Sequence, residues 1–187
     1  MARNKRHVDQ RVKKEEIEIT AAELFKEFGY DKTSMTQVAK NTGIAPNTIY
    51  WYFENKDDLL VAVLNRTVSE AMVEVLARKS LPLNVQIVEL INQLEDAGSL
   101  ITDVHARVKK SAVIEAWHDS FHHMIEQLSA SELMDAGIEP DQALQDARVL
   151  IYVVEGLLAH PHRHEEREKV IDHALTKLLG SAKQLSS

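Results

Sequence analysis

Helix-breaking residues are rare in this chain. Only six glycines and four prolines occur among 187 residues, and most stand where an amphipathic helical pattern begins or ends. Between them, apolar residues recur at helical spacing, and no segment convincingly reads as a strand. The chain is therefore predicted to be all-α, with about nine helices: Arg11–Phe28, Ser34–Thr42, Pro46–Phe53, Asn55–Leu76, Pro82–Gly98, Ser99–Lys109, Ala112–Leu128, Pro140–His160 and Glu165–Leu179.

Several protein classes are excluded by composition. The chain has no cysteine, so disulfides, thiol nucleophiles and thiolate zinc sites cannot form. The longest uninterrupted apolar runs, Leu59–Leu64 and Val149–Val154, are six residues each, too short to span a bilayer. The N-terminus is basic and polar and lacks the apolar stretch of a signal peptide. We therefore expect a cytoplasmic protein with no membrane partner.

Charge and aromatic residues divide the chain into two parts. Residues 1–56 carry a net charge of +2 and the remainder −9, and seven of the ten aromatic residues lie between positions 25 and 53. Such asymmetry is typical of an anion-binding end joined to an acidic body, although a basic tail can also serve solubility alone. We predict an N-terminal domain over 1–56 and a larger domain over 57–187. The basic N-terminal arm contains Arg3, Lys5, Arg6, Arg11, Lys13 and Lys14.

The segment Thr33–Phe53 has the spacing of a helix-turn-helix, with a tight turn at Gly43. Ser34 and Gln37 have the spacing of a capping box, and Pro46 suits the first turn of the second helix. In this motif the second helix enters the major groove of DNA, but helical hairpins are common and the geometry alone does not decide. The residue content favours DNA, because the second helix carries groups that donate to phosphates, reach base edges or pack on thymine methyls. These are Asn47, Thr48, Tyr50, Trp51 and Tyr52.

A larger set of spaced residues extends this motif. It comprises Phe28-Gly29-Tyr30, Thr33-Ser34-Met35, Val38-Ala39, the run Gly43–Phe53, Lys56 and Leu59. This pattern resembles the N-terminal signature of TetR-type repressors and covers about Arg11–Leu64. The later helices resemble that family only in number, length and order. The resemblance implies an N-terminal helix-turn-helix domain followed by a ligand-binding and dimerisation domain, in a transcriptional regulator without enzymatic activity.

The resemblance also implies a mechanism and a set of contacts. Such a protein binds a palindromic operator on double-stranded DNA as a homodimer, acts as a repressor, and is released by a small hydrophobic effector. Ala45 stands where the family commonly has serine, and Asn47 where it often has glycine, so the operator is expected to differ from the family's average. The implied DNA contacts are Thr33, Ser34 and Lys56 on phosphate oxygens, Asn47, Thr48 and Trp51 in the groove, and Tyr50 and Tyr52 on the backbone or base-pair edges.

The predicted helix Pro140–His160 is apolar around most of its circumference, so it needs a second partner besides its own domain. The last helix supplies one further apolar stripe. Two protomers would then bury four helices around a twofold axis, with Gly156 permitting close approach and Leu157 and Leu178 at the interface.

A ligand cavity is expected between the DNA-binding half and these last helices. Large apolar groups occur there beside a few polar ones, the usual mixture in small-molecule sites, although the apolar residues could equally be plain core. The candidates are Met72, Leu76, Leu90, Trp117, His118, Phe121, His122, Tyr152 and Glu155. The acidic body favours a cationic or neutral effector.

An alternative from another class is a His-metal-dependent, all-helical hydrolase. His118 and His122 are four residues apart on one helix face, beside Asp119 and one helix after His105. The spacing is shorter than such enzymes need, and no second carboxylate is clearly placed. The simpler interpretation puts both histidines at the polar margin of the Trp117/Phe121 stripe, or in the effector cavity. A third function class is a helical adaptor that binds neither ligand nor DNA. We therefore expect no catalytic residue, no cofactor and no metal ligand.

Overall fold

Helices make up nearly all of the chain that the computed structural model describes, which is residues 2–77, 80–95, 98–160 and 163–185. Within these ranges the side chains of 2–8, 76, 95, 98–99 and 180–185 lie outside the description. The helices are α1 (Ala2–Phe28), α2 (Met35–Asn41), α3 (Lys56–Ala77), α4 (Leu83–Glu95), α5 (Gly98–Arg107), α6 (Ala112–Asp135), α7 (Pro140–Ala159) and α8 (His164–Leu185), with short 3₁₀ turns η1 (Ile49–Trp51) and η2 (Val108–Lys110). The all-α prediction is confirmed, and the described residues contain no strand.

The third predicted helix is the main difference from the sequence prediction. Pro46–Phe53 forms a turn followed by η1 instead of a regular α-helix. The segment after Pro46 consists of β-branched, aromatic and amide side chains, which have low helix propensity. In addition, α1 begins at Ala2, well before the predicted Arg11, and α6 continues past Leu128 to Asp135.

Two compact units divide the chain. The first comprises Met1–Glu70 and Ser99–Ala116, and the second comprises Ala71–Gly98 and Trp117–Ser187. The predicted boundary at 56/57 differs from this division, because α3 as far as Glu70 and all of α5 after Gly98 belong to the first unit.

The first unit is built on apolar residues from α1, α2, η1 and α3. Ser34 caps α2 as predicted: its hydroxyl accepts from the Gln37 N–H, and the Gln37 side chain accepts from the Ser34 N–H. Gly43 ends this helical segment with φ of 73°, a conformation that glycine adopts without strain. The buried side chains of these four elements are Ile17, Ala21, Phe25, Met35, Val38, Ala39, Ile49, Leu59, Leu60, Val63 and Leu64.

The second unit has its main core between α4, α7 and α8. That core consists of Ile87, Val88, Ile91, Leu150, Leu157, Ile171 and Leu175. Leu157, which the sequence placed at a dimer interface, is 6% exposed and lies in this cluster. The two-sided pattern of α7 could not show which of its faces points inward.

None of the described helices has the length and apolar character that crossing a membrane requires.

Candidate nucleic-acid interface

The segment 45–53, here called the recognition turn, is held by short-range backbone hydrogen bonds. The Thr48 N–H donates to the Ala45 carbonyl at 2.8 Å, and the Trp51 N–H donates to the Thr48 carbonyl at 3.1 Å. These bonds join residues three apart, the pattern of a 3₁₀-helix, in which side chains at i and i+3 lie on one face. Thr48 and Trp51 therefore share a face of the turn.

Two aromatic side chains of the recognition turn point outward. Trp51 is 84% exposed and Tyr50 is 51% exposed. An exposed tryptophan forgoes the favourable free energy that burial of its large apolar surface would contribute. By contrast, Ile49 is fully buried and Phe53 nearly so. The turn is thus anchored from inside by Ile49 and Phe53 and presents its aromatic surface to solvent.

The remaining predicted contacts on the turn are also accessible. Asn47 is exposed, and Thr48 and Tyr52 are half-buried. Tyr52 lines an open cleft of about 470 Å³. Ser34, also exposed, uses its hydroxyl in the capping box, where it donates to Gln37 Oε1 at 2.9 Å.

Thr33 occupies a different environment from the one the sequence suggested. Its side chain is 2% exposed. The hydroxyl donates to the Gly29 carbonyl at 3.0 Å and lies 3.2 Å from the Leu24 carbonyl. Thr33 therefore joins the end of α1 to the loop before α2, and in this geometry its hydroxyl faces the protein interior.

The Lys56 ammonium likewise donates its hydrogen bonds to backbone carbonyls. Its Nζ donates to the Tyr30 carbonyl at 2.8 Å and to the Thr33 carbonyl at 2.9 Å, and it lies 4.1 Å from the centre of the Tyr30 ring. Burial lowers the pKa of the Lys56 ammonium. Lys56 thereby fixes the loop 30–33 against the start of α3.

A charged network beneath this loop includes residues far apart in sequence. The Tyr30 hydroxyl donates to the Asp57 carboxylate, and the Arg107 guanidinium donates to both Asp57 oxygens, at 3.0 Å from Nε and 3.2 Å from Nη2. The Arg107 guanidinium carbon lies 4.5 Å from the Tyr30 ring centre. The Tyr30 N–H donates to Asp103 at 3.1 Å. The network holds α5, α3 and the loop before α2 in one arrangement.

The network also shifts the acid–base equilibria of its members. Burial would by itself raise the pKa of Asp57, but hydrogen bonds from Tyr30 and Ser111 and the Arg107 charge outweigh it and lower that pKa. Burial, followed by the hydrogen bond to Asp57, raises the pKa of Tyr30. At neutral pH the pair is therefore a neutral phenol donating to an ionised carboxylate.

Replacing Asp57 by asparagine is expected to destabilise the protein by about 2–3 kcal/mol at pH 7, because Arg107 loses the carboxylate that accepts two of its hydrogen bonds. The folded-state pKa of Asp57 lies below the unfolded value of about 3.9. The stabilisation is therefore fully present above that value and is lost as the pH falls through the folded-state pKa. Urea unfolding of both proteins from pH 7 to pH 3 measures this.

Asp58→Asn is the matched control, since Asp58 accepts from Asn55 at the surface end of the same helix. This control is expected to cost less than about 1 kcal/mol. An Asp57→Asn protein as stable as the Asp58→Asn protein at pH 7 would contradict the assigned role of the network.

Arg107 and Asp103 were missed by sequence reasoning. Both lie on α5, 50 and 73 residues from the partners they contact in the first unit. No local pattern pairs them with Tyr30 or Asp57. Of these network residues, Tyr30 was noted in the sequence, because it belongs to the Phe28-Gly29-Tyr30 part of the family-like pattern.

The predicted effector residues all fall in the second unit. Trp117 and Phe121 stack with ring centres 5.2 Å apart, and Phe121 meets His122 edge-on at 6.0 Å. Met72 and Leu90 are half-buried on α3 and α4, and the Leu76 side chain lies outside the described residues. Tyr152 is 67% exposed and faces solvent in the protomer. Trp117, His118, Phe121, His122 and Glu155 are thus the members that the described contacts bring together.

His122 pairs with a carboxylate on the next helix. Its Nε2 lies 3.0 Å from Glu155 Oε1, and the His118 and His122 ring centres are 4.2 Å apart. The hydrogen bond with Glu155 raises the pKa of His122, against the opposing effect of burial. His105 lies on α5 in the first unit, and Asp119 is exposed.

Residues 20–63 match the family model for bacterial regulatory proteins of the tetR family. The matched range contains α2, the recognition turn with its exposed aromatic side chains, and the start of α3. The match spans the helix-turn-helix and leaves the whole of the second unit outside it.

Some known proteins resemble the chain over most of its length, and others over a short segment. The HTH-type transcriptional regulator UidR of Escherichia coli (strain K12) is 25% identical over 175 residues, covering 86% of this chain and 87% of that protein. The fatty acid metabolism regulator protein of Bacillus subtilis (strain 168) is 36% identical over 50 residues, which are 27% of this chain and only 26% of that protein. A structure from Saccharomonospora viridis, solved in complex with choline, shares the fold with a TM-score of 0.70 at 19% identity, covering 86% of this chain and 93% of that one.

Proposed function

Since the chain belongs to the TetR family of bacterial regulatory proteins and is a transcriptional regulator, we propose that it represses transcription. In this proposal it binds a palindromic operator in the cytoplasm as a homodimer and leaves the operator when a small effector binds. The exposed aromatic surface of the recognition turn, with Trp51 84% exposed, is the observation that carries the proposal.

The recognition turn supplies the groups that DNA readout needs. Thr48 and Trp51 share one face, so they can enter the major groove together, and apolar groups there can pack on thymine methyls. Asn47 adds an amide that can pair with an adenine edge. Tyr50, Tyr52 and Ser34 are proposed to contact the sugar-phosphate backbone, which fixes the register of the protein on DNA.

Two residues implied by the resemblance receive supporting roles in this proposal. The Thr33 hydroxyl and the Lys56 ammonium are occupied by backbone carbonyls. Both hold the loop that leads into α2, so they would position Ser34 and the recognition turn. Direct phosphate contact by either group would require those hydrogen bonds to break.

Dimerisation is proposed on the outer face of α7. Val149 and Tyr152 are 49% and 67% exposed and lie one turn apart. Gly156 continues that face one turn later, and a side chain added there would meet no atom within 4 Å. An apolar stripe with a glycine permits close packing of a second copy.

The effector is proposed to bind in the second unit beside the stacked Trp117 and Phe121 rings. Aromatic faces attract cations as well as apolar groups, and residues 57–187 carry a net charge of −9. The structural neighbour from Saccharomonospora viridis was solved with choline, a cationic ligand. We therefore propose a small hydrophobic effector that is cationic or neutral, in a site that also uses Met72 and Leu90.

Selection of bound fragments from the host's genomic DNA tests the proposal. We expect enrichment of fragments that share an inverted repeat, with half-site centres separated by about 10 base pairs or a multiple of it. Enrichment that disappears at high salt without any shared sequence would indicate non-specific binding only. Recovery of no shared inverted repeat would contradict operator binding by a dimer.

A further inference from the structure

Three metal-ligating side chains converge from two helices of the second unit. His118 and His122 lie one turn apart on α6, and Glu155 reaches them from α7. One ring nitrogen of each histidine and one Glu155 oxygen lie within 4.8 Å of one another. All three side chains are half-buried, so the cluster is sheltered and still open to an incoming ion.

The donor set matches the preferences of divalent transition metals. Imidazole nitrogen suits zinc, nickel and cobalt, and a carboxylate completes many such sites. Two histidines four residues apart on a helix are a recurrent zinc-binding arrangement. With metal–ligand bonds of about 2.1 Å, tetrahedral ligands stand about 3.4 Å apart. His122 Nε2 and Glu155 Oε1 are already 3.0 Å apart, and side-chain rotations that move the other ligand atoms by about 1.4 Å would bring the set from within 4.8 Å to tetrahedral spacing.

The local charge also favours a cation. Glu155 Oε1 lies 3.0 Å from His122 Nε2, and Asp119 Oδ1 lies 3.6 Å from His118 Nδ1. Arg148, a cation on α7, places its guanidinium on Glu126 at 2.8 Å. Two carboxylates therefore lie beside the histidine pair, and the nearby Arg148 charge is paired with a third, Glu126.

We propose that His118, His122 and Glu155 bind a divalent transition-metal ion of the zinc type. Three protein ligands leave a coordination position for water or for a donor atom of another ligand. This proposal replaces the expectation from sequence that the chain has no metal ligand: the sequence paired the two histidines, but Glu155 is added only by the packing of α7 on α6. The site does not depend on operator binding. A plain His122–Glu155 ion pair is the competing use of the same residues.

Cobalt(II) titration of the full-length, tag-free protein tests the site. After chelator treatment and dialysis, we expect one equivalent of Co²⁺ to bind, with visible absorption bands characteristic of nitrogen and oxygen ligation. His118→Ala and His122→Ala should each weaken Co²⁺ binding by at least about 100-fold, because even residues that only orient ligands contribute about 10- to 100-fold. Zinc should displace the cobalt and remove the absorption bands.

His123→Ala is the matched control, since His123 is exposed on the same helix and lies outside the cluster. It should bind Co²⁺ as the wild type does. Glu155→Gln, which keeps the side-chain shape, should also weaken binding, and circular dichroism verifies that each variant is folded. Equal Co²⁺ affinity in the wild type and a His118→Ala, His122→Ala double variant would overturn the proposal, as would absence of binding by the wild type. Either result would leave the ion pair as the role of these residues.

Discussion

Replacing Tyr50 and Trp51 together by alanine should lower affinity for the selected operator about 100- to 1,000-fold while leaving the protein fully folded. Trp51 is proposed to contact base edges, where each good contact contributes about 1–3 kcal/mol, and Tyr50 is proposed to fix the register on the sugar-phosphate backbone. Both rings are exposed on the recognition turn. Because both are exposed, their removal should change the free energy of unfolding by no more than about 0.5 kcal/mol. Fluorescence anisotropy with labelled operator and urea unfolding measure the two effects.

Neighbouring residues provide the contrast. Ile49→Ala removes a fully buried side chain from the same turn, so it should cost about 2–5 kcal/mol of stability. Phe28→Ala removes an exposed aromatic ring of the first unit from the end of α1 and should leave operator affinity unchanged. Near-native binding by the Tyr50→Ala, Trp51→Ala protein would exclude the recognition turn as the element that reads DNA.

The recognition turn shows what local sequence could predict and what it could not. The capping box at Ser34 and Gln37 and the turn at Gly43 depend on residues close in sequence, and both were predicted. The prediction of an α-helix over Pro46–Phe53 was wrong. Pro46 was interpreted as a helix start, but the residues after it have low helix propensity. The tertiary anchors Ile49 and Phe53 stabilise the turn without a regular helix.

The support of the turn was less predictable than the turn itself. Thr33 and Lys56 were assigned to phosphate from their positions in the motif. Their hydroxyl and ammonium groups instead meet carbonyls of residues 24–33 in the first unit. Asp57 and Arg107 form an ion pair across 50 residues, and a boundary drawn at 56/57 placed both in the other domain. Long-range pairs of this kind arise from packing, which hydrophobic periodicity does not encode.

In the second unit, too, local features could be predicted from the sequence but long-range packing could not. The sequence showed that α7 is apolar on two sides, and the structure shows that Leu150 and Leu157 point into the core while Val149 and Tyr152 point out. Periodicity gave the number of faces but not their orientation. The histidine pair on α6 was likewise visible, and Glu155 was a candidate for the same cavity, but its contact with His122 depends on the packing of α7.

Replacing Val149 and Tyr152 together by glutamate is expected to convert the proposed dimer into folded monomers. Four like charges on facing copies of α7 would repel one another and would lose the apolar burial that stabilises the proposed interface. Since both side chains are exposed in the protomer, helix content should remain. A monomer contacts a single half-site, so operator affinity should fall by at least about 100-fold. Sedimentation velocity at micromolar concentration and operator binding measure the two effects.

The choice of residues decides what this experiment can show. Leu157→Glu would bury a charge in the core of α4, α7 and α8 and should unfold the protein, so a loss of DNA binding would say nothing about dimerisation. Val73→Glu is the matched control: Val73 is 66% exposed on α3, and its variant should remain a dimer that binds DNA. A wild-type protein that sediments as a monomer would refute the α7 interface. A Val149→Glu, Tyr152→Glu protein that remains dimeric would place the interface on another surface, and its operator binding should then be intact.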